Sequence, residues 1–553
     1  MQIPRALDRF LPGVFGALRH VPFGPKLVTE LLVGQLANAT PPRPRPFTLA
    51  SDYTSWLSLT DRTFTGRHLP PANPGAVGLP SEADVKELFR RKPGGEIPST
   101  DTSVMFMFFA QWFTDSFLRT DRTDWRKNTS TQEIDFCQIY GLSEAQTRML
   151  REMDRGRLKS QQIDGQEYPP FYFERTSTGS HSVKPEFEGL HDEDFLMNVL
   201  LNGVSDRQKD LFFAVGLEHG NSTVGSIALD VVFVREHNRI AGILEKEYER
   251  RTERPQWSRP LSRADLDERL FQTTRNIVMV LLLKLVVEEY IGHIAPDDPP
   301  IKLIPAMADG KNWNRSNWIA IEFNLLYRWH SMVPDTITTD DGVSDSKGFL
   351  RDNNDVVVSK GVEWLIAQCS RSRAAKVGLF NSPAFLVDRK DAAYPAVEER
   401  TIALMRQANL RSFNDYRRQF GLSPLTDYDQ LTKDVEVQER LKALYGDDVD
   451  KLEWYVGVFA EDYPDDFFVG ELLTTMVGYD AFTQALTNPL LAKNVFNEAT
   501  FTRTGLKIID ETTSLQQIVA RNAREPKSVF ASFQWADVAS IPNSGRTPPQ
   551  SSR

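Results

Sequence analysis

The stretch Glu322-Phe323-Asn324-Leu325-Leu326-Tyr327-Arg328-Trp329-His330-Ser331-Met332-Val333-Pro334-Asp335 sets a phenol, an indole and an imidazole within four residues of one another. Tyr327 and His330 stand at i and i+3, which on a predicted helix puts both side chains on one face, and Pro334-Asp335 is a natural stop for that helix. A neutral imidazole is a common metal ligand, haem iron included, and a phenol one turn away is placed to exchange an electron with such a centre. A helix that merely buries a tyrosine, a tryptophan and a hydrogen-bonded histidine would carry the same pattern. The spacing by itself leaves both readings open.

Resemblance separates them. Glu-Phe-Asn-x-Leu-Tyr-x-Trp-His-x-x-x-Pro-Asp, as it stands at 322–335, resembles the proximal helix of the prostaglandin endoperoxide synthases (cyclooxygenases), haem dioxygenases of the animal haem peroxidase superfamily. Similar to the same family are Asp52-Tyr53-Thr54-Ser55-Trp56, Phe109-Ala110-Gln111, Ile139-Tyr140-Gly141, Asp164-Gly165 with Tyr168-Pro169-Pro170, and Arg235-Glu236-His237-Asn238-Arg239. Leu270-Phe271-Gln272-Thr273-Thr274-Arg275 and Phe413-Asn414 with Tyr416-Arg417 continue the series in the family's order. The resemblance implies a mainly α fold: a large helical haem peroxidase-like domain preceded by short amphipathic, membrane-contacting helices.

Carried over residue by residue, the resemblance makes His330 the proximal iron ligand of a haem b. It makes Tyr327 the residue that becomes a radical and removes hydrogen from substrate, with Tyr290 its hydrogen-bond partner and Tyr455 a second tyrosine near the haem. On the distal side the family reads Ala-Gln-x-Phe-Thr-His, whereas this chain reads Ala110-Gln111-Trp112-Phe113-Thr114-Asp115. Gln111 is kept, but Asp115 stands where the acid/base imidazole belongs, so weak peroxidase turnover is expected. Burial beside a haem would raise its pKa and let it shuttle a proton. Ile291, Leu326, Ala481 and Phe482 fall at substrate-channel positions; Ala481 replaces the family's serine and Asp480 its phenylalanine. The family's carboxylate-anchoring arginine falls near Gly34 or Gln35 and its tyrosine partner near Asp297 or Asp298, so the head-group clamp is missing. His237, inside the Arg235–Arg239 motif, reads as a hydrogen-bonded core histidine.

The implied reaction is the addition of O2 to an unsaturated fatty acid or related lipid, giving a hydroperoxide or endoperoxide, with a peroxide as activator. Two alternatives remain: a non-catalytic haem-binding protein of the same fold, and a radical oxygenase acting on a different apolar metabolite.

At 553 residues one large domain or two intimately packed ones are expected. A net charge of −10 argues against a nucleic-acid partner. Two cysteines, Cys137 and Cys369, are too few for a disulfide scaffold, which predicts buried thiols, a reducing cytoplasmic compartment and neither a leader nor a growth-factor-like module. The longest apolar run, 277–287, is interrupted by Lys284 and is too short to span a bilayer.

Residues 1–45 read as amphipathic helices and a Pro-rich connector, 46–520 as the catalytic domain, and 521–553 as a C-terminal extension whose tail is disordered. The first segment sets Leu7, Phe10, Leu11, Val14, Phe15, Leu18, Val21, Phe23, Leu27, Val28, Leu31, Leu32 and Leu36 among the basic residues Arg5, Arg9, Arg19 and Lys26. It can dock on its own core or lie in one leaflet, and its position in the resemblance favours peripheral, monotopic membrane contact. Long helices are expected near 104–119, 205–219, 223–249, 262–293, 315–332, 356–374 and 394–420, with few strands. Whether the chain forms a homodimer is not specified by its sequence.

Overall fold

Helix formation is dictated first by one wholly apolar segment. Val104–Thr114 opens on Ser103, whose hydroxyl accepts the Phe106 N–H, and every residue of the helix is buried except Gln111. A helix apolar all round must sit at the centre of a fold, and the other elements wrap it. The computed structural model describes residues 11–39, 46–72, 78–251, 261–295, 299–389, 396–464 and 467–535.

The principal helices are α1 (Leu11–Arg19), α2 (Gly24–Ala39), α3 (Val104–Thr114), α4 (Val224–Arg251), α5 (Arg263–Leu285) and α6 (Ile321–Leu326). They continue with α7 (Val362–Arg371), α8 (Val397–Gln407), α9 (Trp454–Ala460), α10 (Glu471–Leu486) and α11 (Glu498–Glu511, kinked at Thr502). α4 packs on α3, α5 and α7; α5 packs on α11; α10 receives α2 and α6. The strands described form four two-stranded antiparallel sheets, among them Pro98–Ser103 with Arg373–Ala375, so the mainly α expectation holds.

The apolar run in α5 faces the core, and Lys284 within it is satisfied by the carbonyls of Ile509 (2.8 Å) and Asp510 (2.9 Å) at the end of α11. Such a lysine caps a helix C-terminus. Among the described residues no helix is long and apolar enough to cross a membrane. Cys137 and Cys369 are buried free thiols.

Several expected helices are shorter. The segment 205–219 is helical only over Asp206–Asp210 and in a 3-10 turn at Glu218–Asn221. Between them the buried run 211–215 leaves the helix by a turn and then bridges antiparallel to Phe171 through Phe213, with the Phe212 carbonyl taken by Tyr172 N–H and Ala214 N–H donated to the Pro170 carbonyl. A continuous apolar run fits a fully buried strand-like segment better than a one-faced helix. Residues 356–374 are interrupted at Gly361, which has φ of +88°, and 394–420 at Asn409, with φ of +49°. Residues 526–535 return to the core: the Phe533 ring lies 4.8 Å from Phe109 and 5.8 Å from Phe106. The tail beyond 535 lies outside the described residues.

α4 approaches α3 so closely that a Cβ at Gly225 would lie 2.0 Å from the Phe108 ring. Gly225→Ala is therefore expected to destabilise the fold by about 1–3 kcal/mol, the usual cost of overpacking. Gly34→Ala, on α2 with nothing within 4 Å, is expected to be neutral or mildly stabilising; equal denaturant midpoints for the two variants would refute this account of the α3–α4 contact.

Candidate active site

The stretch 322–335 is not one helix. α6 ends at Leu326; Tyr327 (φ −91°, ψ 19°) leaves helical geometry, and His330 begins a 3-10 turn, His330–Met332, after Trp329 at φ −86°, ψ 46°. This corrects the expectation that one helical face carries both Tyr327 and His330. Beyond the break the chain is held in place: Pro334 has no N–H for the His330 carbonyl, and the buried Arg91 guanidinium binds the carbonyls of Ser331 (3.2 Å) and Val333 (2.8 Å) while pairing with Asp335 at 2.7 Å. A tertiary clamp, rather than helical periodicity, sets the relation between phenol and imidazole.

His330 Nδ1 is hydrogen-bonded to Glu398 Oε1 at 2.9 Å. Glu398, buried in the first turn of α8, also accepts Ser382 Oγ (3.2 Å) and Tyr455 Oη (3.1 Å). His330 keeps 18% of its side chain exposed, and its Nε2 makes no hydrogen bond among the described residues. An imidazole held by a carboxylate at one nitrogen with the other left open is the arrangement of a metal-ligating histidine. Sequence reasoning missed Glu398 because Glu398-Glu399 looks like ordinary first-turn acid on a helix. Glu399 does play that part, accepting the Ala396 N–H at 3.0 Å.

The Tyr327 ring packs 4.9 Å from Phe323 and 4.8 Å from Trp329. Tyr290 closes a π-helical turn, Val286–Tyr290, and stacks on Phe106 at 4.9 Å. Burial, then the Asp480 carboxylate, raises the Tyr327 phenol above its ordinary range; burial, then Tyr327, raises Tyr290. The two phenols therefore face each other and couple, but Tyr290 Oη has no partner at hydrogen-bond geometry. The expected Tyr290–Tyr327 pairing is present as two facing phenols that act on each other, and Tyr290 is also held by its ring stacking. Both phenols stay protonated at neutral pH, so oxidising Tyr327 means removing a proton with the electron.

At the end of α3, Gln111 is exposed and Asp115 keeps a solvent-reachable edge although protein surrounds most of it. Burial raises the Asp115 carboxyl to about 6 against the pull of Arg119 and Arg328. Neighbouring Trp112 is anchored by its Nε1–H to Asp230 Oδ1 at 2.7 Å. Asp115 shares a small cavity with Trp112, Leu217, His219, Ser226 and Asp230. Arg328, whose guanidinium donates to Asn324 Oδ1 at 2.6 Å, is lowered by burial against the fields of Tyr455, Asp115 and Glu398. Gln111 is exposed, and Asp115, His219, Tyr327 and His330 are each partly exposed.

The channel positions Ile291, Leu326, Ala481 and Phe482 are all buried, where α6, the π-helical turn and α10 meet. Asp480 breaks this apolar wall and pairs with His68 Nε2 at 2.7 Å, both side chains almost fully enclosed. Nothing in the sequence around His68 signals that pairing. The side chain of Gln35, and Asp297 and Asp298 altogether, lie outside the described residues. His237 is the core histidine expected, with Nδ1 bonded to Tyr140 Oη (2.8 Å) and Nε2 to the Gly156 carbonyl (2.9 Å).

These residues fit a haem. The proximal imidazole presents a free nitrogen, and buried Trp329 Nε1 and Arg328 Nε have no hydrogen-bond partner. The computed model carries no ligands, and the comparisons with known proteins agree with the fit. The pattern described as animal haem peroxidase matches residues 118–533. Prostaglandin G/H synthase 2 of Oryctolagus cuniculus is 29% identical over 541 residues, 95% of this chain and 81% of that protein. Prostaglandin G/H synthase 1 of Rattus norvegicus is 30% identical over 512 residues, 90% of this chain and 76% of that protein. Among solved structures, the fatty acid alpha-dioxygenase of Arabidopsis thaliana superposes with a TM-score of 0.66 at 18% identity, covering 99% of this chain and 94% of that one. Peroxidase A of Dictyostelium discoideum gives 0.63 at 19% identity, covering 86% and 96%. These two likenesses concern the fold. With most of its length matched by the family pattern, the chain belongs to the animal haem peroxidase family.

Proposed function

We propose that this protein is a haem b-dependent oxygenase of unsaturated fatty acids or related lipids, working through a radical on Tyr327. The observation that carries the proposal is the His330 imidazole, fixed through Nδ1 by Glu398 and open at Nε2, three residues from a buried, protonated phenol. The likeness to prostaglandin G/H synthases 1 and 2 supports that reading. A haem held by His330 would supply the oxidising equivalent that Tyr327 needs. Tyr327 gives up its phenolic electron and proton, then takes a hydrogen atom from an activated C–H of substrate held against Ile291, Leu326, Ala481 and Phe482. O2 adds to the carbon radical, and the peroxyl radical regains a hydrogen atom from Tyr327, so that RH and O2 leave as ROOH or as its cyclised endoperoxide. The His68–Asp480 pair in the channel wall favours, as a second reading, an apolar substrate bearing a polar group at that depth.

Membrane contact belongs to the same proposal. α2 docks on α10 through Val28, Val33 and Ala37, while Val21, Phe23, Leu27 and Leu31 point outward, Phe23 79% exposed. A lipid substrate would then reach α10 and the channel from a bilayer surface against which this face rests.

His330→Ala is expected to lose stable haem incorporation or the spectrum of a histidine-ligated haem; an unchanged absorption spectrum rejects His330 as ligand. Tyr327→Phe keeps the ring and removes the phenolic hydrogen, so it should bind haem normally and lose oxygen uptake on every lipid that the wild type oxidises; equal uptake would rule out a Tyr327 radical. Replacing Phe23 and Leu31 together by serine removes about 3 kcal/mol of apolar transfer energy. Flotation with vesicles of phosphatidylcholine and an anionic phospholipid should show about 10²-fold weaker binding at unchanged Tm, and unaltered binding would remove this face from the proposal.

A further inference from the structure

The acid at the end of α3 does not face the cleft alone. Across the cavity from Asp115 stands His219, in the 3-10 turn Glu218–Asn221 that leads into α4. The turn is fastened to the segment following α3: Glu218 Oε1 accepts Arg119 Nη2 at 2.7 Å and Arg122 Nη2 at 2.8 Å. Farther along the turn, the Asn221 side chain exchanges two hydrogen bonds with the Phe213 backbone, at 2.8 and 2.9 Å. Phe195 meets the His219 ring edge-on at 5.8 Å. The imidazole is therefore held from below and from the side, while its ring nitrogens make no hydrogen bond among the described residues and part of the ring stays exposed.

The other histidines differ. His237 has both nitrogens bonded in the core, His68 is committed to Asp480, His181 to Asp210, and His293 to Thr102. His191 is buried behind the same turn rather than opening on the cavity. His219 alone among these combines a fixed backbone, unengaged nitrogens and a place in the cavity of Asp115. Burial lowers its pKa to about 4, with Arg119 and Arg122 adding to the fall against the pull of Glu218, so the ring is neutral at neutral pH and its nitrogen lone pair is unprotonated.

We propose that His219 is the distal base of this protein, an imidazole supplied from the turn before α4 in place of the one absent from α3, with Asp115 as its neighbour. This rests on the haem-binding reading above. A hydroperoxide arriving in the cleft gives its O–H proton to a His219 ring nitrogen, leaving the peroxide anion and an imidazolium, and the proton is held there for return. Asp115, bonded to the end of a rigid helix, shapes the cavity and buffers the imidazolium's charge. The sequence pattern conceals this, because the distal imidazole is expected on α3 itself and His219 sits in the polar turn Glu218-His219-Gly220-Asn221.

Cyanide is the probe, since hydrogen cyanide must surrender its proton to bind ferric haem as the anion. Its association rate with haem-loaded protein, followed by stopped flow at neutral pH, reads the distal base without any turnover. His219→Gln should slow association by about 10²-fold, the lower range for a positioned acid/base, whereas Asp115→Asn should slow it less than tenfold. His219→Ala, should glutamine disturb the turn, is expected to be slowed alike and partly rescued by added imidazole. An unchanged rate in His219→Gln with a normal haem spectrum overturns the proposal, as does a loss confined to Asp115→Asn. Absence of a haem absorption band in the wild type would instead overturn the haem reading on which it stands.

Discussion

The hydrogen bond between Glu398 and His330 is the constraint on which the site depends. It joins two segments 68 residues apart in sequence and leaves one imidazole nitrogen for a metal. It also brings Tyr455 to the same carboxylate. A carboxylate partner raises the basicity of a ligating imidazole, and a more basic ligand favours the oxidised metal. Glu398 is itself secured by the start of α8, where Glu399 takes over capping and pairs with Lys86 and Arg389. Two adjacent acids thus divide structural and site duties.

Around this contact the fold supplies rigidity from the centre outward. α3, packed on all sides, delivers Gln111 and Asp115 at its one open end. α4 brings the turn with His219 against that end, and the Arg119–Glu218–Arg122 cluster fixes the distance between them. Arg328, held by Asn324, lies in the electrostatic field of both Asp115 and Glu398. Burial would raise the Glu218 carboxyl, yet Arg119 and His219 hold it at about 2. The cluster therefore stays charged across the physiological range.

Much of this was legible from residues alone, and the failures have physical causes. Tyr327, His330, Tyr290 and Tyr455 could be picked out as candidates only through the family resemblance, because their spacing alone fits a plain buried helix equally well. The wholly apolar α3 and the long α4 and α5 follow from composition and periodicity. The 3-10 turn at His330–Met332 was not legible, because the guanidinium that takes the Ser331 carbonyl belongs to Arg91, 240 residues away. Glu398 was masked by its resemblance to a helix-capping acid, and His219 by its polar turn. Asp480 could be seen as an acid in an apolar helix, but its pairing with His68 spans 412 residues and leaves no local trace. Long-range polar partners are what a single sequence conceals best.

The central claim is that a haem held by His330 oxidises Tyr327. Freeze-quench electron paramagnetic resonance of the haem-loaded protein mixed with a lipid hydroperoxide tests it most directly, with the tyrosines deuterated on their rings in a parallel sample. The account predicts an organic radical signal near g of about 2 whose hyperfine splitting narrows on ring deuteration and whose shape changes in Tyr327→Phe. A radical insensitive to tyrosine deuteration, as one centred on Trp329 would be, contradicts it, and so does the absence of any organic radical while the haem reacts with peroxide.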